Sequence, residues 1–164
     1  METEGIEFSF DGEKIIVTNE ADENLSVHSI DSGELLKTID TKYLGNRPRG
    51  IKRSETEKFY LSTLEYGDKL IKLDEAFNIT GSADTGKVPY GISFSDDKGR
   101  AFIALAHGKS IQIFDTKRME SVGSTRDHRF FHVVGILPTE RSSPEPSSSC
   151  LGEVPMRCTS RNSI

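Results

Sequence analysis

The chain has 164 residues, of which 29% are charged and 34% are hydrophobic, and its formal net charge at pH 7 is −5. This length and composition predict a globular domain with a core of its own. The negative charge and the scattered Lys and Arg residues argue against binding to nucleic acid, which depends on basic residues that neutralise phosphates. No run approaches the roughly 20 apolar residues of a membrane span, so none is expected.

The first ten residues do not resemble a secretory signal peptide. They alternate acidic and apolar residues, whereas a secretory signal peptide begins with basic residues and continues with an apolar run. As written, the chain carries no signal peptide and is expected to stay in the cytoplasm.

A Gly-Ile dipeptide divides the chain into repeats. Successive copies are 45, 41 and 44 residues apart, beginning at Gly5, Gly50, Gly91 and Gly135. A period of this length is typical of the blades of a β-propeller, each of which contains four strands. The spacing predicts three complete blades, at about residues 5–45, 46–86 and 87–124.

Each predicted blade contains strands in the same order. About ten residues after the Gly come runs rich in β-branched and aromatic residues, at 15–18, 59–62 and 101–104. A further set of runs is apolar at alternate positions, as half-buried strands require, at 25–30, 69–73 and 110–114. Weaker outer strands are predicted at 35–39, 77–80 and 119–122. A period of two instead of 3.6 favours an all-β fold of antiparallel blades.

The combined pattern closely resembles the YVTN-family β-propeller repeat, which is named for its second-strand tetrapeptide. The resemblance covers roughly residues 5–124 and is carried by Ile16-Val17-Thr18-Asn19, Pro48-Arg49-Gly50-Ile51 and Pro89-Tyr90-Gly91-Ile92. Some positions depart from the family pattern, since Thr63-Leu64 and Ala104-Leu105 stand where Thr-Asn is expected. WD-type repeats are a poorer match because the chain contains no Trp.

The resemblance implies a binding scaffold with no catalytic residues of its own in this chain. Relatives with this repeat include periplasmic and cell-surface proteins, so a periplasmic or extracellular location is implied for a full-length relative. Two alternatives follow from the same resemblance. One is a fragment of a propeller enzyme or electron-transfer-associated protein, such as a quinone- or haem-linked dehydrogenase or a lactonase-like enzyme, and the other is a structural repeat of the cell surface.

The composition changes from residue 125 onward. Residues 125–164 hold five Arg and no Lys, four of the six Pro residues, and both cysteines, Cys150 and Cys158. The dipeptide at Gly135 begins a fourth blade, but a Ser- and Pro-rich segment at 141–149 stands where its second strand should form. We therefore expect an aborted fourth blade and a disordered tail. The tail is either a linker or the product of a truncated or shifted reading frame.

Three blades cannot close into a ring, because propellers typically have four to eight. The chain is therefore expected to be a fragment of a longer propeller. Repeat arrays without polar caps expose apolar surface at their ends, so self-association through the unclosed blade edges is expected.

The sequence contains no motif for catalysis, cofactor binding or metal binding. A protein or small-molecule ligand is expected to bind on the propeller face formed by loops 20–24, 66–68 and 107–109 and by the connections around Arg47 and Tyr90. Arg47, Arg49 and Arg53 form either an anion-contacting patch or a salt-bridged rim. His107 and Lys109 lie in the third of these loops, where they serve either as recognition residues or as part of a solvated turn.

Overall fold

The structure is a computed structural model that describes residues 3–95 and 98–126. Over these residues, twelve β-strands form three separate four-stranded sheets, in which consecutive strands pair antiparallel. The prediction of an all-β fold with three four-stranded antiparallel blades is confirmed. The aborted blade and tail were predicted from residue 125 onward; residues 125 and 126 belong to the last strand of the third sheet, Glu120–Arg126, and residues 127–164 lie outside the described residues.

The three sheets follow one another along the chain, and we call them blades 1, 2 and 3. Blade 1 contains β1 (Thr3–Phe8), β2 (Lys14–Asn19), β3 (Asn24–Ser29) and β4 (Leu35–Asp40). Blade 2 contains β5 (Pro48–Arg53), β6 (Tyr60–Leu64), β7 (Lys69–Leu73) and β8 (Ile79–Asp84). Blade 3 contains β9 (Pro89–Ser95), β10 (Arg100–Leu105), β11 (Ser110–Asp115) and β12 (Glu120–Arg126). The first strand of each blade lies innermost, because β1 contacts β5 and β5 contacts β9.

The outer strands of blades 2 and 3 begin later than the sequence predicts. Phe77 and Met119, where these strands were expected to start, adopt positive φ angles of 60° and 54° and belong to turns. The amide of Phe77 donates to the carbonyl of Asp74 at 3.0 Å, and its ring is buried in the core. Because a residue in this conformation cannot belong to a strand, pairing begins only at Ile79 and Glu120.

Two apolar clusters hold the blades together. Between blades 1 and 2, Ile16, Leu25 and Val27 pack with a larger set of blade 2 residues that includes Ile51 and Tyr60. Between blades 2 and 3, the cluster consists of Phe59, Leu61, Leu70, Ile92, Ala101, Ile103, Leu105 and Phe114. Each fully buried Leu or Ile contributes roughly 1.5–3 kcal/mol through the removal of its surface from water. The packing between blades therefore stabilises the fold.

In blades 1 and 2, a threonine in the second strand links the innermost strand to that of the next blade. The amide of Gly5 donates to Thr18 Oγ1 at 2.7 Å, and the Thr18 hydroxyl donates to the carbonyl of Arg49 in blade 2 at 2.8 Å. Thr63 repeats this arrangement one blade later, with the Gly50 amide at 2.9 Å and the Tyr90 carbonyl at 2.7 Å. We call Thr18 and Thr63 the threonine clasps.

The glycine of the Gly-Ile repeat lets the innermost strands approach one another. A Cβ atom on Gly50 would lie 2.3 Å from the carbonyl oxygen of Tyr90, and one on Gly5 would lie 2.6 Å from that of Arg49. Both distances are far shorter than a van der Waals contact, and both neighbours are backbone atoms that cannot turn aside. The clasp therefore needs Gly on the innermost strand and Thr on the second strand, and blades 1 and 2 have both at the same separation of 13 residues.

Candidate functional site

One end of the blades brings two kinds of loop together. The turns between the second and third strands contact the connections into β5 and β9, since the Glu65 amide donates to the Arg47 carbonyl and the Ala106 amide to the Val88 carbonyl, both at 2.9 Å. We call this end the mouth surface, and it consists of residues 4, 20–23, 46–49, 65–68, 85–90 and 106–109. The loops that the sequence selected for recognition therefore share one surface.

The turns of the mouth surface have the same backbone shape in each blade. Glu23, Asp68 and Lys109, which directly precede the third strands, have φ angles of 56°, 48° and 44°. Two of these turns are tied to the end of their own blade, because the carbonyls of Glu23 and Asp68 accept from the amides of Thr41 and Thr85 at 3.2 and 2.7 Å. These contacts hold the surface in one conformation.

A network of ion pairs occupies the part of the mouth surface that belongs to blades 1 and 2. Arg49 contacts Glu4 at 2.7 Å, Glu20 at 3.1 Å and Glu65 at 2.6 Å. Arg47 is ion-paired with Glu20 and lies 3.6 Å from Glu65. Three carboxylates therefore face two guanidinium groups, and the network carries one excess negative charge. Both arginines have carboxylate partners, as in a salt-bridged rim.

The burial of this network makes its pairing necessary. The side chains of Glu20 and Glu65 are 1% and 9% exposed, and a carboxylate without a partner at such a position would cost several kcal/mol. Burial by itself lowers the pKa of Arg49, but its hydrogen bond to Glu65 and the nearby negative charges outweigh this effect, so that its pKa is raised. The ion pairs therefore hold both guanidinium groups in place.

Each guanidinium group also supports an exposed tyrosine ring. The Arg47 guanidinium carbon lies 4.5 Å from the centre of the Tyr66 ring, and that of Arg49 lies 4.6 Å from the centre of the Tyr90 ring. Tyr66 is 64% exposed and Tyr90 is 36% exposed. The result is two aromatic rings that are held in place from beneath by paired arginines and are open to solvent.

The blade 3 part of the mouth surface is chemically different. Ala106 stands at the position that Glu20 and Glu65 occupy in blades 1 and 2, and the exposed residues His107 and Lys109 follow it. Next to this turn, the hydrogen bond from Lys87 is the main cause that lowers the pKa of Asp68, while His107 contributes only weakly. The mouth surface thus changes from an ion-pair network to an exposed turn with basic residues.

The structure brings three of the residues selected from the sequence together: Arg47, Arg49 and Tyr90. His107 and Lys109 lie at the same end but on the next blade. Arg53 lies at the opposite end of β5, where its guanidinium group donates to the carbonyl of Ser9 at 2.9 Å and to Glu55 at 3.0 Å. The three arginines therefore do not form one patch.

The sequence placed Glu20 and Tyr66 in the loops expected to bind a ligand, but it did not indicate Glu4 and Glu65 as members of the site. Glu20 and Glu65 each lie 15 residues after the Gly of their Gly-Ile dipeptide, and Glu4 and Arg49 each directly precede that Gly. An alignment of the repeats by their dipeptides would have shown these charges at equivalent positions. It would not have shown that Arg49 pairs with the carboxylates of two different blades.

A cleft of about 350 Å³ lies at the other end of the blades, between blades 1 and 2. Phe10, Leu36 and Phe77 line it together with Lys14 and Lys37. The Lys37 ammonium group donates to the carbonyls of Ala76 and Phe77 at 2.9 and 3.0 Å. Lys37 therefore links blade 1 to the turn between β7 and β8 of blade 2.

Two further findings apply to the described residues, 3–95 and 98–126. They contain no group of three or more His, Cys, Asp and Glu side chains placed to hold a metal ion. They also contain no helix of the length and apolar character needed to cross a membrane.

Comparison with known proteins shows the fold. No protein-family model matches the sequence. No curated protein sequence matches it. Among solved structures, hydrazine synthase of Kuenenia stuttgartiensis superimposes with a TM-score of 0.69 at 19% identity, over 78% of this chain and 36% of that one. The WD40 repeats of RRP9 give 0.68 at 13% identity, over 79% and 40%. U3-55K gives 0.67 at 12% identity, over 79% and 40%.

These matches, together with the three blades, show that the chain has a β-propeller fold of the kind seen in WD40 repeats. At identities below 20% they show the fold alone. The chain spans about two fifths of the length of these structures.

Proposed function

We propose that this chain is a non-catalytic binding module that recognises a peptide segment of another protein at the mouth surface. The observation that carries this proposal is the pair of exposed rings, Tyr66 and Tyr90, each held by an arginine. Tyr and Arg are the residue types that contribute most to binding energy at protein interfaces. Because the buried carboxylates fix both arginines, little side-chain freedom is left to lose when a ligand binds.

The charge of the mouth surface suggests the chemistry of the ligand. The network around Arg49 has one more carboxylate than guanidinium groups, and the carboxylate of Glu4 is its most exposed member, at 37%. A peptide with a Lys or Arg next to an apolar residue would contact this carboxylate and a tyrosine ring together. Binding of that kind should weaken with added salt, since the charges lie close to solvent.

The same proposal includes the repeat type. The threonine clasps support a YVTN-type repeat, because Thr18 is the Thr of the tetrapeptide and each clasp joins the Gly of its own blade to the backbone of the next. Through the clasp, the Thr of that tetrapeptide holds adjacent innermost strands in register.

A selection with random peptides tests the proposal. The immobilised full chain would be panned with a phage-displayed library of random peptides, and the enriched peptides would then be measured by fluorescence anisotropy. We expect the Kd of these peptides to rise about tenfold or more in Tyr66→Ala, since loss of an interface tyrosine costs on the order of 1.4 kcal/mol or more. Tyr90→Ala should show a smaller rise, because Tyr90 is less exposed.

Leu35→Ala is the matched control. Leu35 is 53% exposed and lies at the start of β4, at the opposite end of the blades. It should leave the Kd unchanged. The proposal would be overturned if no peptide were enriched, or if the enriched peptides bound wild type and Tyr66→Ala equally well.

A further inference from the structure

The innermost strand of blade 1 exposes a face that is buried in the other two blades. Ile6, Ile51 and Ile92 are the same residue of the Gly-Ile repeat, yet Ile6 is 60% exposed, whereas Ile51 and Ile92 are 3% and 4% exposed. Phe8, two residues further along the same face of β1, is 54% exposed. We call this face, which contains Ile6 and Phe8, the back face of blade 1.

The molecule itself shows what covers a back face. The back face of blade 2 is covered by Ile16, Leu25 and Val27 of blade 1, and that of blade 3 by Leu61 and Leu70 of blade 2. In both cases the covering group is the front face of another four-stranded blade. The occupant that fits the back face of blade 1 is therefore a blade of the same type.

Blade 3 carries a front face that suits this role. By their distance from the Gly of the repeat, Phe102, Ile111 and Ile113 occupy the positions of Ile16, Leu25 and Val27 in blade 1. They are half-buried, while the three blade 1 residues are at most 1% exposed. The described part of the chain thus presents one apolar back face and one apolar front face that remain partly open.

We infer that two copies of this chain associate head to tail, with the front face of blade 3 of one copy on the back face of blade 1 of the other. Two such contacts in one pair give a closed assembly with twofold symmetry. The pair contains six blades, which lies within the range of four to eight that β-propellers use. This inference does not depend on the proposed recognition function.

The contact between copies lacks one feature of the contacts within a copy. The clasp position of blade 3 holds Ala104, where blades 1 and 2 have Thr18 and Thr63. The matching acceptor on blade 1 is the carbonyl of Glu4, which stands where Arg49 and Tyr90 stand in the next blades. Without the hydroxyl, the pair should be weaker than the packing between blades of one chain and should depend on protein concentration.

Sedimentation equilibrium of the full chain over a range of concentrations tests the inference. Wild type is expected to pass from monomer to dimer. Ile6→Asp and, separately, Ile111→Asp should each shift the protein to monomer, while a mixture of the two variants should recover a dimer, because one intact contact remains. Ser82→Asp, at an exposed position on the outer strand of blade 2, which belongs to neither face of the contact, should behave as wild type. Circular dichroism would confirm that each variant is folded, with Phe8→Asp replacing Ile6→Asp if needed.

Ala104→Thr provides a test in the opposite direction. It should add a hydrogen bond to the Glu4 carbonyl at each of the two contacts and lower the dimer Kd roughly thirtyfold, the equivalent of two added hydrogen bonds. A chain that stays monomeric at all concentrations would overturn the inference, and so would larger open assemblies. Dimerisation that survives Ile111→Asp but not Ile6→Asp would also overturn it, because that result indicates contact between two back faces.

Discussion

Removal of the Thr63 hydroxyl should uncouple blades 2 and 3. Thr63 is 0% exposed, and its hydroxyl accepts from the Gly50 amide at 2.9 Å and donates to the Tyr90 carbonyl at 2.7 Å. Thr63→Ala removes both hydrogen bonds and also a methyl group. Thr63→Ser removes the methyl group but keeps the hydroxyl, so the difference between these two variants measures the clasp.

The lost contacts set the size of the destabilisation. Loss of the buried methyl group costs about 1 kcal/mol in both variants. Each hydrogen bond contributes about 1 kcal/mol net, and a buried amide or carbonyl left without its partner costs about 1–3 kcal/mol. Thr63→Ala should therefore be about 2–4 kcal/mol less stable than Thr63→Ser.

Equilibrium unfolding in urea, followed by far-ultraviolet circular dichroism and by tyrosine fluorescence, measures this difference. The same pair of variants at Thr18 should give a similar difference, because its two hydrogen bonds have similar lengths, 2.7 and 2.8 Å. A difference of less than about 0.5 kcal/mol between the free energies of unfolding of Thr63→Ala and Thr63→Ser would refute the assignment of the clasp as a stabilising contact.

Two further predictions concern a glycine and a carboxylate. Gly50→Ala should destabilise the chain by about 3 kcal/mol or more in urea unfolding, because the new Cβ would lie 2.3 Å from the Tyr90 carbonyl oxygen. The control is Gly81→Ala, whose Cβ would have no atom within 4 Å. Its free energy of unfolding should be unchanged or slightly higher. The Asn78 amide holds the pKa of Asp74 below its usual 3.8. This lowered pKa stabilises the fold above pH 3.8, and the effect is lost as the pH falls through the folded value. The difference in thermal stability between wild type and Asp74→Ala should therefore narrow between pH 6 and about pH 2; a constant difference would contradict this assignment.

The sequence by itself determined the periodic part of this protein. The Gly-Ile spacing and the alternation of apolar residues placed the second and third strands within one or two residues of their ends, because successive side chains of a strand point to opposite faces of the sheet. The outer strands of blades 2 and 3 were misplaced by one to four residues. Phe77 and Met119 are apolar residues in turns, and nothing local distinguishes them from strand residues.

The tertiary structure decided which charges meet. Arg49 was visible as a candidate, but its partners Glu20 and Glu65 come from two different blades, on either side of it in the chain. Local pattern cannot show such a pairing, because it depends on how the blades are rotated against each other.

The structure also decided which copies of a repeated residue are buried. Ile6, Ile51 and Ile92 each follow the Gly of the repeat, yet the exposed fraction of Ile6 is 60% while those of the other two are 3% and 4%. The sequence predicts the shape of each blade, since that depends on neighbours within the blade. Burial between blades depends on whether a second sheet lies against that face, and only the three-dimensional arrangement supplies it.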